Sequence, residues 1–384
     1  MMSMLVLVIF SSMTARVIFS PIMPALQDEL GFGLTLAGSL FLLINVSYGI
    51  VLLLAGFLSS RIGHGLSIVV SLTAVATGIG IAAAASAVWM LIAGIVLMGA
   101  GAGLYPSSGL VMINTKIDEE HRSTAFSFHE VGPNLALLAA PLIVVLLRPL
   151  LGWRGVLFAV GGLALTAALV FWRWGAANSG KGAVPNLSTV GTILRLRTAL
   201  LAMMVLSAAL SGVQGVYAIL PAYLVSTHGL AEDFVNVLVS SSRVAGIVLL
   251  VTAGPAINRI GRRRTIAGVL LVSAVLTALL GLTSGTMLAM VVVAQPALLS
   301  VLFPAALATI GTIGEAQYQN VTYSLVITIA VGLGAGLAPT VLGAFGDLGV
   351  GWIGFVAVGI YMVTAVFFMW RTPEFGRHPA AGGR

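Results

Sequence analysis

Two arginines stand inside apolar runs of a chain in which only 8% of residues are charged: Arg16 in "VIFSSMTARVIFS", residues 8–20, and Arg243 in "VLVSSSRVAGIVLL", residues 237–250. A guanidinium is a permanent cation with a planar fork of donors, the geometry that meets a carboxylate or similar anion through paired hydrogen bonds. Polar residues recur at helical spacing around both. Ser12, Arg16 and Ser20 form one stripe; Ser207, Ser211, Gln214 and Tyr217 a second; Asn236, Ser240, Arg243 and Gly246 a third; and Asn45 shares a face with Tyr48. Neutral donors beside a cation are what orients a bound anion.

A different chemistry is offered by "FSFHEVGPNL", 126–135, where His129 and Glu130 both titrate and together can take up or pass a proton. The same pair also fits a cytoplasmic interface, with Glu130 near a helix N-terminus, or an inner gate between these extremes. Tyr105 and Phe303 precede Pro106 and Pro304 and either cap a cavity or pack at a helix distortion, while Gln295 and Tyr323 read as interhelical hydrogen bonders. The sequence carries no metal-spaced cluster, nucleophile elbow or nucleotide motif, so neither an enzyme nor a bound cofactor or metal is expected. The runs "GAGAG", 99–103, and "GLGAG", 332–336, follow no strand and lack the lysine of a phosphate loop. They read as places where helices pack closely or slide. Cysteine is absent, which excludes disulfide and thiol chemistry.

The elements that must position these residues are set by composition. With 59% hydrophobic residues and a mean hydropathy of +1.11, the chain has too little polar surface to cover a water-soluble globule. An all-α integral membrane protein is expected, built on apolar stretches of about 20 residues, the length a helix needs to cross a bilayer. About twelve spans can be read, at 3–26, 35–57, 66–87, 89–114, 124–147, 154–174, 199–225, 233–253, 265–283, 286–312, 319–343 and 350–370. The N-terminal run "MMSMLVLVIF" lacks a basic region before it and a small-residue cleavage pattern, and is expected to be the first span rather than a removable signal.

A net charge of +7 points to membrane orientation rather than to nucleic acid. With both termini cytoplasmic, Arg61, Lys116, Arg122, the Arg259–Arg264 cluster and most other basic residues lie inside, and only Arg148 and Arg154 outside. A bacterial inner (plasma) membrane is the expected setting. Arg16 and Arg243 are the two basic residues left within spans. At about 1.5 Å per residue, Arg16 lies roughly 18 Å from the cytoplasmic end of its helix and Arg243 roughly 15 Å from the outer end of its own, too deep for easy snorkelling.

The polar stretch 175–197 reads as a cytoplasmic linker between a six-helix bundle, 1–174, and a second, 198–371, followed by a tail, 372–384. The halves repeat. "GFLSSRIGHG", 56–65, falls on "GPAINRIGRR", 254–263, at an offset of 198, and at that offset "LYPSS", 104–108, falls on "LFPAA", 302–306. The same offset carries Arg243 to Asn45 and Arg16 to Gln214. Positions polar in both halves are hard to reconcile with lipid, where an unpaired amide or guanidinium costs several kcal/mol, as a rough scale.

Six plus six spans with a Gly-x-x-x-x-Arg-x-Gly loop after spans two and eight resemble the major facilitator superfamily across essentially the whole chain. The loop motif is carried by Gly56, Arg61 and Gly63, with His64, and again by Gly254, Arg259, Gly261 and Arg262; the family's usual aspartate is replaced by Ser60 and Asn258. Its physical role is topological: glycines allow a tight turn, and arginines hold it at the anionic leaflet and donate to carbonyls at helix ends. The resemblance implies two pseudo-symmetric bundles that rock about a central cavity lined by spans one, two, four, five, seven, eight, ten and eleven.

Ten of the eleven acidic residues fall in expected loops or tails, which leaves Glu130 as the one carboxylate near a span and the expected counter-ion of Arg16. An anion would complete so positive an interior. The expectation is a monomeric secondary transporter that moves a small organic anion, a monocarboxylate before others, by alternating access and with protons. Arg16, Arg243, Asn45, Tyr48, Gln214, Tyr217 and Ser240 would bind it. The pattern matches no anion branch in full. Monocarboxylate carriers have an aspartate one turn before the span-eight arginine, where Val239 and Ser240 stand here; nitrate carriers have a span-two arginine, here Asn45; organic phosphate carriers use spans one and seven, and span seven here has Gln214. Anion exchange or nitrate-like transport is the alternative. A proton-driven drug exporter is a further one, although it would be expected to hold a midplane acid in span one, two or four.

Overall fold

The computed structural model describes residues 1–177, 180–182, 188–302 and 319–372, with the side chains of 119, 122–123, 127, 188–189, 250–259, 262, 319–321 and 323 left outside that description. Among these residues regular structure is entirely helical. Among the described residues the expected spans fall on helices: Met2–Val17 continuing as Phe19–Leu30, Leu34–Ile62, His64–Ala83, Val88–Gly103 continuing as Tyr105–Lys116, Arg122–Trp174, Arg197–Leu210 through Val216–His228, Glu232–Ile260, Arg262–Leu282, Gly285–Ser300, Gln319–Val331 through Ala338–Asp347, and Gly351–Arg371; residues 303–312 of the expected tenth span lie outside the description. Nine stretches among the described residues are long and apolar enough to cross a bilayer, and one of these, Thr124–Trp174, holds the fifth and sixth spans together. Gly152, at φ 64° and ψ 176°, divides it. That backbone region is open in practice only to glycine, so a single residue separates the two spans.

Prolines set the interruptions. A proline cannot donate to the carbonyl one turn earlier and crowds it. The first span breaks at Ile18, ahead of Pro21, and the fourth at Leu104, ahead of Pro106. In the second half the response is a widened π turn, Ser211–Gly215 upstream of Pro221 and Gly332–Leu337 upstream of Pro339.

Contacts gather the chain into two compact units, one of Met1–Phe32, Leu40–Pro185 and Leu224–Ser240, the other of Gly33–Ser39, Asn186–Tyr223 and Ser241–Arg384. In the first, Leu5, Val8, Ile68, Leu72, Tyr105, Met112 and Phe171 form a core that joins spans one, three, four and six. The glycine run of span four fits two neighbours at once. A Cβ on Gly103 would lie 2.4 Å from the Tyr48 carbonyl of span two, and one on Gly101 would lie 2.8 Å from Ala74 of span three. In the second unit a Cβ on Gly334 would lie 2.4 Å from the Ser207 carbonyl, and one on Gly215 would lie 2.5 Å from the Gly334 carbonyl. Spans seven and eleven thus meet backbone to backbone, the close approach that small residues give membrane helices.

At the ends of the spans remote from the loop motifs, polar ties replace apolar packing. Glu29 accepts from the Trp153 indole at 2.6 Å and pairs with Arg154. Arg148, late in span five, pairs with Glu232 at the start of span eight. Asp347 at the end of span eleven accepts from the backbone amides of Leu34 and Thr35, at 2.7 and 2.8 Å, and so caps the first turn of span two from 313 residues away.

Candidate functional site

In the first unit Arg16 reaches from span one onto the face of span two. Its Nη2 donates to Asn45 Oδ1 at 2.9 Å, and its guanidinium carbon lies 4.1 Å from the centre of the Tyr48 ring. Asn45 is held in turn by a 2.8 Å bond from its amide to the Phe41 carbonyl. Gly103 brings span four against the backbone at Tyr48 and fixes where the ring stands. The Arg16 Nε is buried with no hydrogen-bond partner.

In the second unit Arg243 reaches from span eight onto span seven. Its Nη2 donates to the Val213 carbonyl at 3.1 Å, inside the π turn, and its guanidinium carbon lies 4.4 Å from the centre of the Tyr217 ring. A π turn leaves weaker internal bonds than the α ladder, and here one of its carbonyls takes up the cation. The Arg243 Nε is likewise buried without a partner. Among the described residues no carboxylate lies within 4.0 Å of either arginine.

The two arrangements are one pattern with its members exchanged. Asn45 and Tyr48 are three residues apart on span two; Gln214 and Tyr217 are three residues apart on span seven. Each tyrosine receives an arginine from its neighbouring helix, span one in the first half and span eight in the second; Arg16 also bonds the Asn45 amide, whereas Arg243 bonds the Val213 carbonyl beside Gln214. The 198-residue offset places Arg16 on Gln214 and Asn45 on Arg243, so the equivalent helix pair carries its cation on opposite members. Gln214 is half-buried, Ser240 is buried with an unpartnered hydroxyl, and Asn236 on the same stripe donates to the Pro21 carbonyl at 3.4 Å. The Val213 carbonyl was not legible in sequence, because every residue offers one and only the π turn singles this one out.

His129 and Glu130 lie two turns inside a helix that begins at Arg122, so the placement of Glu130 at a helix N-terminus is corrected. Pairing of Glu130 with Arg16 is corrected as well: Glu130, 63% exposed, lies 3.6 Å from Nδ1 of buried His129. His129 Nε2 is 2.7 Å from the Tyr105 hydroxyl, which also reaches the Leu5 carbonyl at 3.3 Å. Tyr105 therefore belongs to this cluster. The break ahead of Pro106 puts it there.

The sequence profile described as Major Facilitator Superfamily matches residues 5–231 and again 200–384. The chain belongs to the major facilitator superfamily. It is an integral membrane transporter and not an enzyme. Solved structures of the superfamily fold superpose over nearly the full length. A bacterial homologue of the human lysosomal transporter Spinster, inward-facing and occupied, has a TM-score of 0.79 at 15% identity, covering 99% of this chain and 98% of that one. A peptide transporter POT in complex with sulfate has 0.77 at 15%, covering 98% and 95%. The nucleoside transporter NupG has 0.75 at 12%, covering 96% and 99%. No curated protein sequence matches the chain.

Both copies of the superfamily loop motif turn at the same glycine. Gly63 (φ 84°, ψ 164°) and Gly261 (φ 87°, ψ 144°) stand 198 residues apart, each immediately before the next span. Ser59 donates to the Gly56 carbonyl at 3.2 Å, and Arg61 is exposed in the last turn of span two. Arg263 donates to the carbonyls of Met369 and Trp370 at 2.7 and 3.1 Å, the expected role at a helix C-terminus. The side chains of Arg259 and Arg262 lie outside the described residues, and Gly254 is placed there only by its backbone within Glu232–Ile260. Where the superfamily aspartate is missing, the linker folds back: His64 N–H donates to the Gly180 carbonyl and Gly182 N–H to the Ser59 carbonyl, both at 3.1 Å. Phe303 lies outside the described residues, as does the side chain of Tyr323.

Proposed function

We propose that this transporter carries a small organic anion, a monocarboxylate before others, with Arg16 and Arg243 as its charge contacts and protons as the coupling ion. The observation that supports it is the pair of guanidiniums, each stacked on a tyrosine and holding an unpartnered Nε, with no described carboxylate to neutralise them. A charged group so enclosed is costly unless a counter-charge joins it. A carboxylate has the two oxygens that the open edge of a guanidinium takes. Asn45, Tyr48, Gln214, Tyr217 and Ser240 supply orientation, and His129 with Glu130 supplies the proton site. The protein works as a monomer in a bacterial inner membrane with both termini cytoplasmic.

The test is a melting-temperature screen of the detergent-solubilised chain against carboxylates, nitrate, phosphate esters and lipophilic cations, with Arg243→Ala and Arg16→Ala alongside. Carboxylates raise the wild-type Tm, and each substitution weakens that response by about 10- to 100-fold in concentration, the worth of a hydrogen bond to a charged group. Stabilisation by cations alone, or one that survives both substitutions, overturns the reading. In liposomes an imposed pH gradient drives accumulation of the stabilising carboxylate. Flux that requires a counter-anion and ignores the gradient replaces symport with exchange.

A further inference from the structure

We infer that the Tyr105 hydroxyl is the part that reads the proton on His129 and passes its presence to the first span; this rests on the reading of His129 and Glu130 as the proton site. A phenol has one proton to donate, yet this hydroxyl faces two acceptors, His129 Nε2 at 2.7 Å and the Leu5 carbonyl at 3.3 Å. Both contacts are satisfied together only when Nε2 carries hydrogen and donates to the tyrosine oxygen, which frees the tyrosine proton for Leu5. The remaining ring nitrogen decides between the two forms with Nε2–H. Nδ1 is buried without a hydrogen-bond partner and lies 3.6 Å from Glu130 Oε1. In neutral imidazole it would turn a lone pair toward a carboxylate; in imidazolium it turns an N–H toward it. Taken together, the contacts around this ring fit the protonated form.

Neutral His129 keeps its one hydrogen on Nδ1, toward the Glu130 carboxylate 3.6 Å away, and so breaks the chain of contacts at its far end. The hydroxyl then donates to Nε2, and the Leu5 carbonyl loses it. Proton occupancy of span five is thereby felt by span one, eleven residues before Arg16. The two helices are close enough for this to matter: a Cβ on Gly132, one turn beyond His129, would lie 2.5 Å from Ile9 Cγ2 and 3.1 Å from the Val6 carbonyl. The titratable groups that meet the ring are Tyr105 of span four and Glu130 of its own helix; beyond them, Ser108, one turn on from Tyr105, engages His64 Nδ1 of span three at 3.2 Å, and Arg16 of span one lies over Tyr48 of span two. Tyr105 is a positioning residue, and its effect must follow the proton.

The experiment is a thermal double-mutant cycle on the full chain in detergent, with wild type, Tyr105→Phe, His129→Gln and the double variant, at about pH 6 and about pH 8, on either side of the ordinary histidine range. A fold that prefers imidazolium holds the extra stability at the lower pH and loses it as the pH rises through the titration. The Tyr105–His129 coupling in Tm is therefore expected to be larger at the lower pH, where the bond from imidazolium is charge-assisted, than at the higher one, where the hydroxyl bonds neutral imidazole. Glu130→Gln, which leaves the ring and the hydroxyl in place, is expected to cut the same increment. A coupling equal at both pH values, or larger at the higher one, overturns the inference, since the pair then does not register the proton. Pair coupling that fails while a pH gradient still drives uptake removes the tyrosine link and leaves proton symport standing; uptake blind to the gradient removes symport itself.

Discussion

At the scale of single residues, the proposed charge contacts are two arginines, each lying on a tyrosine of its own unit. The ring faces hold each cation through their quadrupoles, by about 0.5–2 kcal/mol depending on desolvation, and leave the donor edges to other partners. Tyr217→Phe is therefore expected to keep carboxylate affinity near wild type, whereas Tyr217→Leu weakens it by about fivefold, measured by thermal shift or equilibrium binding. Arg243→Lys retains the charge but not the planar fork or the stacking, and is expected to bind carboxylates closer to Arg243→Ala than to wild type. The arginines and their amide and tyrosine neighbours were legible in sequence, because a charge or amide inside an apolar run has few innocuous explanations. Their pairing was not. Helical spacing places Asn45 and Tyr48 on one face without saying which helix faces them, and Glu130 looked like the partner of Arg16 only because no other acid lay near a span. Burial of His129 against Tyr105 draws Glu130 to the imidazole instead.

At the scale of helices and turns, hydropathy placed the expected spans on helices among the described residues, because lipid leaves a backbone few other ways of being satisfied. What hydropathy cannot register is a local change of pitch or direction. Gly152 ends a span with one residue, and the π turns at Ser211–Gly215 and Gly332–Leu337 lie in runs as apolar as the α-helix on either side. The repeat does not signal them either: Pro141 and Pro339 are 198 residues apart, yet the first lies inside helix and the second follows a π turn, so the proline acts there together with the close packing of Gly334 against span seven. Gly334→Ala is expected to destabilise the second half by about 1–3 kcal/mol through overpacking. Gly63→Ala and Gly261→Ala, strained by their positive φ, each cost about the same. Both effects are read as a lowered Tm in detergent, and Gly268→Ala, where a Cβ meets nothing, serves as the neutral comparison.

At the scale of the whole chain, distant segments are tied by carboxylates that sequence separation hides. Asp347 holds the amides of Leu34 and Thr35, and Glu232 holds Arg148; none of these pairs shares a local pattern. Asp347→Asn keeps one acceptor oxygen and loses the charge that favours a helix N-terminus, a change of about 1–2 kcal/mol. Hydrogen exchange followed by peptide mass spectrometry is expected to show faster exchange over the first turn of Leu34–Ile62, with the other end of that helix unchanged.

The exchanged arginines have a consequence for descent. If both halves come from one duplicated ancestor, conservation of residue type at matched positions did not hold where it would seem most needed. What persisted is a local inventory, one cation, one amide and one aromatic ring per helix pair, while ownership of the cation moved from one helix to its neighbour. Kinship between such halves is therefore better sought in the contents of a neighbourhood than column by column, and Arg16→Asn combined with Asn45→Arg would move the first half's cation onto the helix equivalent to the one that carries it in the second.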